Sequence, residues 1–307
     1  MSDSMHVFDR AAVLRHRRRA AASPEPVDFL YREAAKRLAD RLLDVTRTFD
    51  MALEFGARGT FLTDLAASSG KVRSMVGTDS VLPRTSQSGR LIVSSDAEAL
   101  PFRENSFDLI LSNLGLHWIN DVPGTLIQLR HSLKPDGLLL VSTFGTETLR
   151  ELRTALLEAE SEICGGASPR VSPFIDVRDA GSLLGRAGFA LPVVDADVIT
   201  VTYPDMFRLM ADLRAMGETN AANARNKHFS RRDMFARAAD IYAERFSDHR
   251  GRIVTTFQIV TMTAWAPHAS QQKPLRPGSA ANRLADALES TEIPLPGNRP
   301  AAQKGPH

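Results

Sequence analysis

The stretches F-D-L-I-L-S-N (residues 107–113) and G-L-L-L-V-S-T-F (residues 137–144) decide the fold class of this chain. Both are rich in Leu, Ile and Val without strict alternation, which is typical of strands buried on both faces of a parallel sheet. Residues 122–133 between them carry apolar side chains at helical spacing, with Asp121 placed to cap the helix and residues 134–137 to end it in a turn. This alternation of strand and helix predicts a doubly wound α/β sheet.

Further short apolar runs extend the same alternation in both directions. Residues 49–55, 76–79 and 91–96 precede the deciding stretches, and each reads as a buried strand. Residues 191–203 and 253–265 follow them, are rich in β-branched residues and read as a final strand pair. We therefore predict an α/β fold with a doubly wound, mostly parallel, seven-stranded sheet.

The domain boundaries are predicted from the positions where the alternation of strand and helix stops. A basic helical arm is predicted for residues 1–48, a sheet-forming core for 49–203 and a helical cap insertion for 204–250. The last strand of the core falls in residues 251–266. Residues 267–307 hold seven of the 17 prolines, which predicts a flexible tail.

Composition excludes several classes of protein. The 307 residues are 43% hydrophobic and 24% charged with a net charge of +2, which argues against nucleic acid as a partner. The single cysteine, Cys164, excludes an internal disulfide and suits a reducing compartment. Neither a secretory signal nor an apolar run of about 18 residues is visible, so a cytoplasmic protein without a transmembrane segment is predicted.

Candidate ligand-binding residues lie where the predicted strands end. A glycine-containing turn, residues 54–60, follows the first strand, and Asp79, Asp96 and Asn113 end the next three. Ligands of open α/β sheets bind at this edge, so one mononucleoside could touch all four loops. Taken singly, the turn could equally be an ordinary strand-to-helix connection, and Asp79 could be a helix cap.

The chain resembles the class I S-adenosylmethionine-dependent methyltransferases, whose fold is Rossmann-like. The resemblance covers residues 49–145 and rests mainly on D-A-E-A-L-P-F-R-E-N-S-F-D-L-I-L-S (96–112) and L-K-P-D-G-L-L-L-V (133–141). It implies S-adenosyl-L-methionine as the cofactor. The implied contacts are Glu54, Gly56 and Gly59 for its methionine end, Asp79 for its ribose, Asp96 and Ala97 for its adenine, and Asn113 and Leu114 for the rim near its methyl group.

A narrower resemblance, over almost the whole chain, is to the respiratory complex I assembly factor 5 family. It is carried by six segments: F-D-R (8–10), L-G-L-H-W-I-N-D (114–121), F-G-T-E-T-L-R-E-L-R (144–153), L-L-G-R-A-G-F (183–189), D-L-R-A-M-G-E-T-N (212–220) and H-A-S-Q-Q-K-P-L-R-P-G-S-A (268–280). The resemblance implies an enzyme that modifies an arginine of a subunit of NADH:quinone oxidoreductase during assembly. We expect methyl transfer first and arginine hydroxylation second.

One departure from the methyltransferase pattern concerns the glycine loop. The usual loop has glycines two, four and six positions after its acidic residue, whereas here Arg58 and Thr60 replace the second and third. Arg58 would pair with the methionine carboxylate or close the pocket by its bulk. A non-catalytic assembly chaperone therefore stays open as an alternative, as does a malonyl-carrier-protein methyltransferase with a similar helical cap.

The catalytic residues are not identified by the sequence. His117 is a candidate general base and Trp118 a candidate cation–π wall, although both also suit core positions before the next helix. A substrate arginine would need carboxylates or aromatic rings around it. Since no H-x-D, H-x-E or H-E-x-x-H motif is present, no metal site is predicted.

The basic arm is the predicted docking surface. It carries Arg10, Arg15, Arg17, Arg18 and Arg19 against Asp9 alone. We expect it to dock an acidic partner or the inner-membrane face beside complex I, from the cytoplasm or, in a eukaryote, from the mitochondrial matrix. Replacing the last four arginines should then weaken partner binding and leave cofactor affinity unchanged.

Overall fold

The computed structural model describes residues 6–23, 26–81, 91–272 and 288–290. The chain divides into two compact units, Met1–His268 and Ala269–His307. The described residues of the second unit form turns and bends, and most of the predicted tail lies outside the described residues. The first unit contains the sheet and the candidate site.

Within the described ranges, seven strands form one sheet in the order β3-β2-β1-β4-β5-β7-β6. The strands are β1 (Phe49–Phe55), β2 (Val72–Asp79), β3 (Leu91–Ser94), β4 (Phe107–Asn113), β5 (Leu133–Phe144), β6 (Ala190–Tyr203) and β7 (Ile253–Trp265). Every described strand runs parallel to its neighbours except β7, which is antiparallel to both β5 and β6. The predicted doubly wound, mostly parallel sheet is confirmed.

Helices cover both faces of the sheet. Those of the described residues are α1 (Arg10–Ala21), α2 (Phe29–Asp44), α3 (Phe61–Ser68), α4 (Val122–Ser132), α5 (Arg150–Cys164), α6 (Val177–Arg186), α7 (Met206–Met216) and α8 (Arg232–Phe246). Because side chains alternate along a strand, Leu109 and Leu111 of β4 pack with α2 and α3, whereas Ile110 packs with α4 and α6. This two-sided burial explains the continuous apolar runs in the sequence.

One local prediction needs correction and another is confirmed. The predicted turn at residues 134–137 lies inside β5, because Leu133 already pairs with Phe107 and the extra residues bulge before the ladder resumes at Leu138. Asp121 caps α4 as predicted, accepting a hydrogen bond from the backbone of Gly124 at 2.8 Å.

The cap and the arm meet above the carboxyl ends of the parallel strands. Helices α7 and α8 lie between β6 and β7 in the chain and share a hydrophobic core with α5. At the start of the arm, Asp9 donates its backbone N–H to Ala221 and Asn223 donates to Val7, both at 2.8 Å. The segment after α7 therefore contacts α1 directly, and the two cover the edge where ligands of this fold class bind.

Candidate functional site

The loop after β1 is tightly folded against its neighbours. The backbone N–H groups of Gly56 and Ala57 both donate to the carbonyl of Thr78, at 2.9 and 3.0 Å. Gly56 has φ +73°, and a Cβ there would lie 3.2 Å from the Cα of Gly115 in the loop after β4. Glycine is required because the two loops touch through their backbones. Glu54 at the end of β1 is buried and accepts a hydrogen bond from Thr63, and Gly59 also has a positive φ.

Asp79 and Asp96 lie at this edge, as the sequence predicted, and each meets an arginine of the arm. Asp79 is buried, with one oxygen accepting from the backbone of Val81 at 2.8 Å and the other from Arg17 at 2.5 Å. Asp96, two residues beyond β3, accepts from the backbone of Glu98 and pairs with Arg10. Their assignment to ribose and adenine stays a prediction.

The remaining predicted cofactor contacts are engaged in packing. Asn113 donates its side-chain amide to the carbonyl of Tyr31 at 2.8 Å and accepts from the hydroxyl of Ser142 at 3.1 Å. Leu114 is fully buried, while Ala97 is half-buried and packs against the layer formed with α4. These three side chains therefore make contacts within the protein, and their contact with a cofactor stays a prediction.

The centre of the site is a buried carboxylate, Glu218, on the segment after α7. Among the described residues it receives four donors from three other parts of the chain. Its Oε1 accepts from Tyr31 and, at 2.5 Å, from Arg58, while its Oε2 accepts from His117 Nε2 and Trp118 Nε1, both at 2.8 Å. The carboxylate thus ties α2 and both glycine-containing loops to the cap.

Electrostatics fixes the charge states in this cluster. Burial alone would raise the pKa of Glu218, but His117 and Arg58, together with hydrogen bonds from the cluster, hold that pKa far below its ordinary value. Burial also opposes the charge of Arg58, yet the charge of Glu218 and its hydrogen bond raise the pKa of Arg58 above the usual range. Burial raises the pKa of Tyr31 well above normal, so its phenol stays neutral and donates to Glu218. Glu218 is therefore an anion at neutral pH.

Both candidate catalytic residues belong to this cluster. His117 and Trp118 are buried in the loop before α4, which agrees with the alternative that both occupy core positions. Both also contact the carboxylate of Glu218. The His117 ring lies 4.8 Å from the ring of Phe144. Within the described part of the chain its Nδ1 atom has no hydrogen-bond partner. A catalytic role for either residue stays a prediction.

A cavity of about 130 Å³ lies beneath the cap. Trp118, Phe144, Phe174 and several leucines form most of its wall, and Glu218 and Asn220 are among its polar lining residues. The carboxylate and the indole that meet in the cluster therefore also face this cavity. Arg170 also lines the cavity but is paired with Glu160 at 2.5 Å, so the carboxylate of Glu218 and the indole suit a ligand with an apolar stem and a cationic head.

Two important residues were missed by sequence reasoning, and the partners of a third were not foreseen. Glu218 and Tyr31 were not singled out, although Glu218 lies in the segment D-L-R-A-M-G-E-T-N (212–220) that carries the family resemblance. Arg58 was noticed only as a departure from the glycine pattern. Its partners are Glu218 and Tyr31, whose ring lies 5.1 Å from the guanidinium carbon.

Three arginines of the predicted docking surface make contacts within the chain. Arg17 is directed inward onto Asp79, and Arg19 donates to the hydroxyl of Thr219 at 3.2 Å. Both side chains therefore serve contacts within the chain. Arg10 likewise pairs with Asp96, so the predicted docking surface reduces to the exposed Arg15 and Arg18. Cofactor affinity cannot be assumed independent of Arg17, because Arg17 holds the carboxylate predicted to bind the ribose.

Two further features concern metals and membranes. In the part of the chain that the structure describes, no three or more His, Cys, Asp and Glu side chains converge so as to hold a metal ion. Among the helices of the described ranges, none combines the length and the apolar character that crossing a bilayer requires.

Comparison with known proteins identifies the family. Residues 53–141 match the family described as Methyltransferase domain. The chain is 42% identical over 298 residues to "Arginine-hydroxylase NDUFAF5, mitochondrial" of Danio rerio, covering 92% of this chain and 89% of that protein. It is 31% identical to "Malonyl-[acyl-carrier protein] O-methyltransferase" of Methylovorus sp. (strain MP688), over 88% of this chain and 93% of the relative.

A solved structure agrees on the fold. The YcgJ protein of Bacillus subtilis superimposes with a TM-score of 0.52 at 15% identity, covering 76% of this chain and 99% of that one. At this identity the likeness shows the fold alone. The sheet order, the matched domain and the identity over nearly the whole length agree with one another. The chain has the class I methyltransferase fold and belongs to the respiratory complex I assembly factor 5 family.

Proposed function

We propose that this chain is an enzyme that modifies an arginine side chain of a subunit of NADH:quinone oxidoreductase while that complex is assembled. The observation that carries the proposal is Glu218, a buried anion that lines the cavity beneath the cap together with Trp118. A guanidinium stays protonated at neutral pH and binds best where a carboxylate and an aromatic face meet. The relatives named arginine hydroxylases support the same substrate class.

The contacts already made by Glu218 fit this use of the cavity. Arg58 shows that the carboxylate accepts a buried guanidinium at 2.5 Å. Arg58, Tyr31 and His117 bind the carboxylate without lining the cavity, whereas Glu218 and Trp118 do line it. An arginine entering beneath the cap would therefore meet the indole from the cavity and would bind the carboxylate by replacing one of its four present donors.

Two reactions on the arginine are distinguished by their products. In hydroxylation, which the names of the relatives favour, one atom of dioxygen enters a C–H bond, and two electrons and two protons from a reduced co-substrate convert the other atom to water. In methyl transfer, which the match to the Methyltransferase domain favours, a C–S bond breaks, a C–N bond forms and the guanidinium loses a proton. We place hydroxylation first, which reverses the order expected from the sequence.

S-adenosylmethionine fits the carboxyl edge of the sheet in the proposed enzyme. Asp79 offers a buried carboxylate for the ribose hydroxyls. Beside it, Gly56 and Gly115 are in contact and carry no side chains, so a ligand could approach their backbone closely. Asp96 and Ala97 would border the adenine, and Glu54 and Gly59 the methionine end. When bound, the cofactor supplies an electrophilic methyl group.

The other proposed activities are less well supported. A malonyl group carries a carboxylate, which Glu218 would repel across the cavity, while the cationic Arg170 of the lining is already paired with Glu160. An assembly chaperone without catalysis would leave its client chemically unchanged. Following its mitochondrial relatives, we place the chain in the mitochondrial matrix or in the cytoplasm of a bacterium, at the inner-membrane face beside its partner complex.

The test is peptide mass spectrometry of NADH:quinone oxidoreductase subunits from cells with and without the gene. We expect one arginine-containing peptide to gain the mass of one oxygen atom only when the gene is present. A gain of one methylene mass would replace hydroxylation by methyl transfer. Identical peptide masses in the two strains would contradict an enzymatic role and favour the chaperone.

A further inference from the structure

Helix α1 lies along the edge of the sheet where the adenosine would bind. Arg10 and Arg17 are seven residues apart, which places them two turns apart on one face of the helix. Arg17 binds Asp79 at 2.5 Å, and Arg10 binds Asp96. These are the two carboxylates proposed for the ribose and the adenine, so one helix face holds both cofactor acids at once.

The arm is anchored on the cap and on the loop after β4 independently of these two arginines. Asp9 pairs with Arg225 at 2.7 Å, and Phe8 packs edge-on against Trp118 with 5.2 Å between ring centroids. At the other end of α1, a Cβ on Gly217 would lie 3.1 Å from the Cβ of Ala20. Because both ends have other contacts, the pairing of Arg17 with Asp79 can break without releasing the whole arm.

The buried position of Arg17 is electrostatically unfavourable for a permanent ion pair with Asp79. Burial and the charge of Arg58 lower the pKa of Arg17, although Asp79 opposes both effects. Its other polar contact is a long hydrogen bond of 3.4 Å to Ser80. A buried ion pair repays its desolvation only when its geometry and additional hydrogen bonds are good. Arg17 is thus held mainly by the carboxylate that a ribose would use.

We propose that α1 is a cofactor-operated latch, in which Arg17 neutralises Asp79 until the ribose hydroxyls replace it. Arg17 then withdraws from the sheet edge, and α1 loosens between its two ends, which keep their other contacts. The inference rests on the proposed function, because it takes Asp79 and Asp96 as the adenosine site. It adds that the arm regulates access to that site.

Calorimetric titration of the full chain with S-adenosylhomocysteine tests the latch. Arg17→Met removes the competing charge and keeps an unbranched side chain, so we expect about tenfold tighter binding if about one molecule in ten has Asp79 free. Arg18→Met, on the exposed side of the same helix, is the matched control and should bind like the wild type. Equal or weaker binding by Arg17→Met would overturn the latch.

Hydrogen exchange on the wild type gives a second test that does not depend on the folding of a variant. Backbone amides of residues 10–21 should exchange faster when S-adenosylhomocysteine is present, and unchanged or slower exchange contradicts the latch. If the ligand binds the wild type and Arg17→Met equally, the latch fails and the cofactor site stands. If it binds neither protein, the cofactor assignment fails together with the latch.

Discussion

Replacing Glu218 by Gln tests whether this carboxylate holds the site together. The substitution keeps the shape of the side chain and removes its charge. Each carboxylate oxygen now faces two donors, Tyr31 and Arg58 on one side and His117 and Trp118 on the other. In either orientation the new amide NH₂ group faces two N–H or O–H donors, and Arg58 stays buried without its anionic partner.

The expected cost follows from this geometry. Breaking a buried ion pair by neutralising one member costs about 3–5 kcal/mol. For a folded unit of this size, about 2–4 °C of Tm accompanies each kcal/mol, so Tm should fall by roughly 6–20 °C. Thermal and urea unfolding followed by circular dichroism measure the loss.

Glu158→Gln is the matched control, because Glu158 pairs with Arg245 at a similar distance, 2.7 Å, on a partly exposed surface. An exposed pair contributes about 1 kcal/mol or less, so this variant should unfold close to the wild type. The reasoning is refuted if Glu218→Gln loses no more stability than Glu158→Gln. That result would mean that the four hydrogen bonds to Glu218 are replaced without cost.

Two further predictions concern acid and the glycine loop. Because the pKa of Glu218 is lowered in the folded protein, its stabilisation is complete above the unfolded value of about 4.3 and falls as the pH drops toward the folded value. From about pH 6 to about pH 3.5 the wild type should lose about 1 kcal/mol more than Glu218→Gln in urea unfolding, and equal losses would contradict the assignment. Gly56→Ala should cost about 1–3 kcal/mol through its positive φ, and more than Gly70→Ala, which has a similar φ but open space for a Cβ. Equal losses in denaturant unfolding would show that the contact between Gly56 and Gly115 does not matter.

The sheet was predictable because its signal is local. The runs at residues 49–55 and 107–113 became β1 and β4 with the same limits, since strands buried on both faces must be continuously apolar. The turn expected at residues 134–137 failed because pairing with β4 begins earlier, at Leu133. Pairing with the neighbouring strand β4, and not the turn-forming residues, therefore decides the local structure there.

The site was predictable only where it depends on the ends of strands. Asp79 and Asp96 lie at the edge because strand order places them there, and sequence reasoning reaches that far. Glu218 lies on an irregular segment after α7, 101 residues from His117 and 160 from Arg58 along the chain. Neither periodicity nor a motif of fixed spacing relates such distant residues. The inward direction of Arg17 was hidden for the same reason, because composition alone marked the arm as a solvent-exposed basic surface.

Complementation of cells that lack the gene tests the central claim most directly. The wild type, Glu218→Gln and Glu158→Gln are expressed in turn, the amount of each chain is measured, and the arginine peptides of NADH:quinone oxidoreductase are weighed by mass spectrometry. We predict that the wild type and Glu158→Gln restore a modified arginine and that Glu218→Gln, at matched protein level, does not. Full restoration of the modified arginine by Glu218→Gln would contradict the placing of the active site at this buried carboxylate.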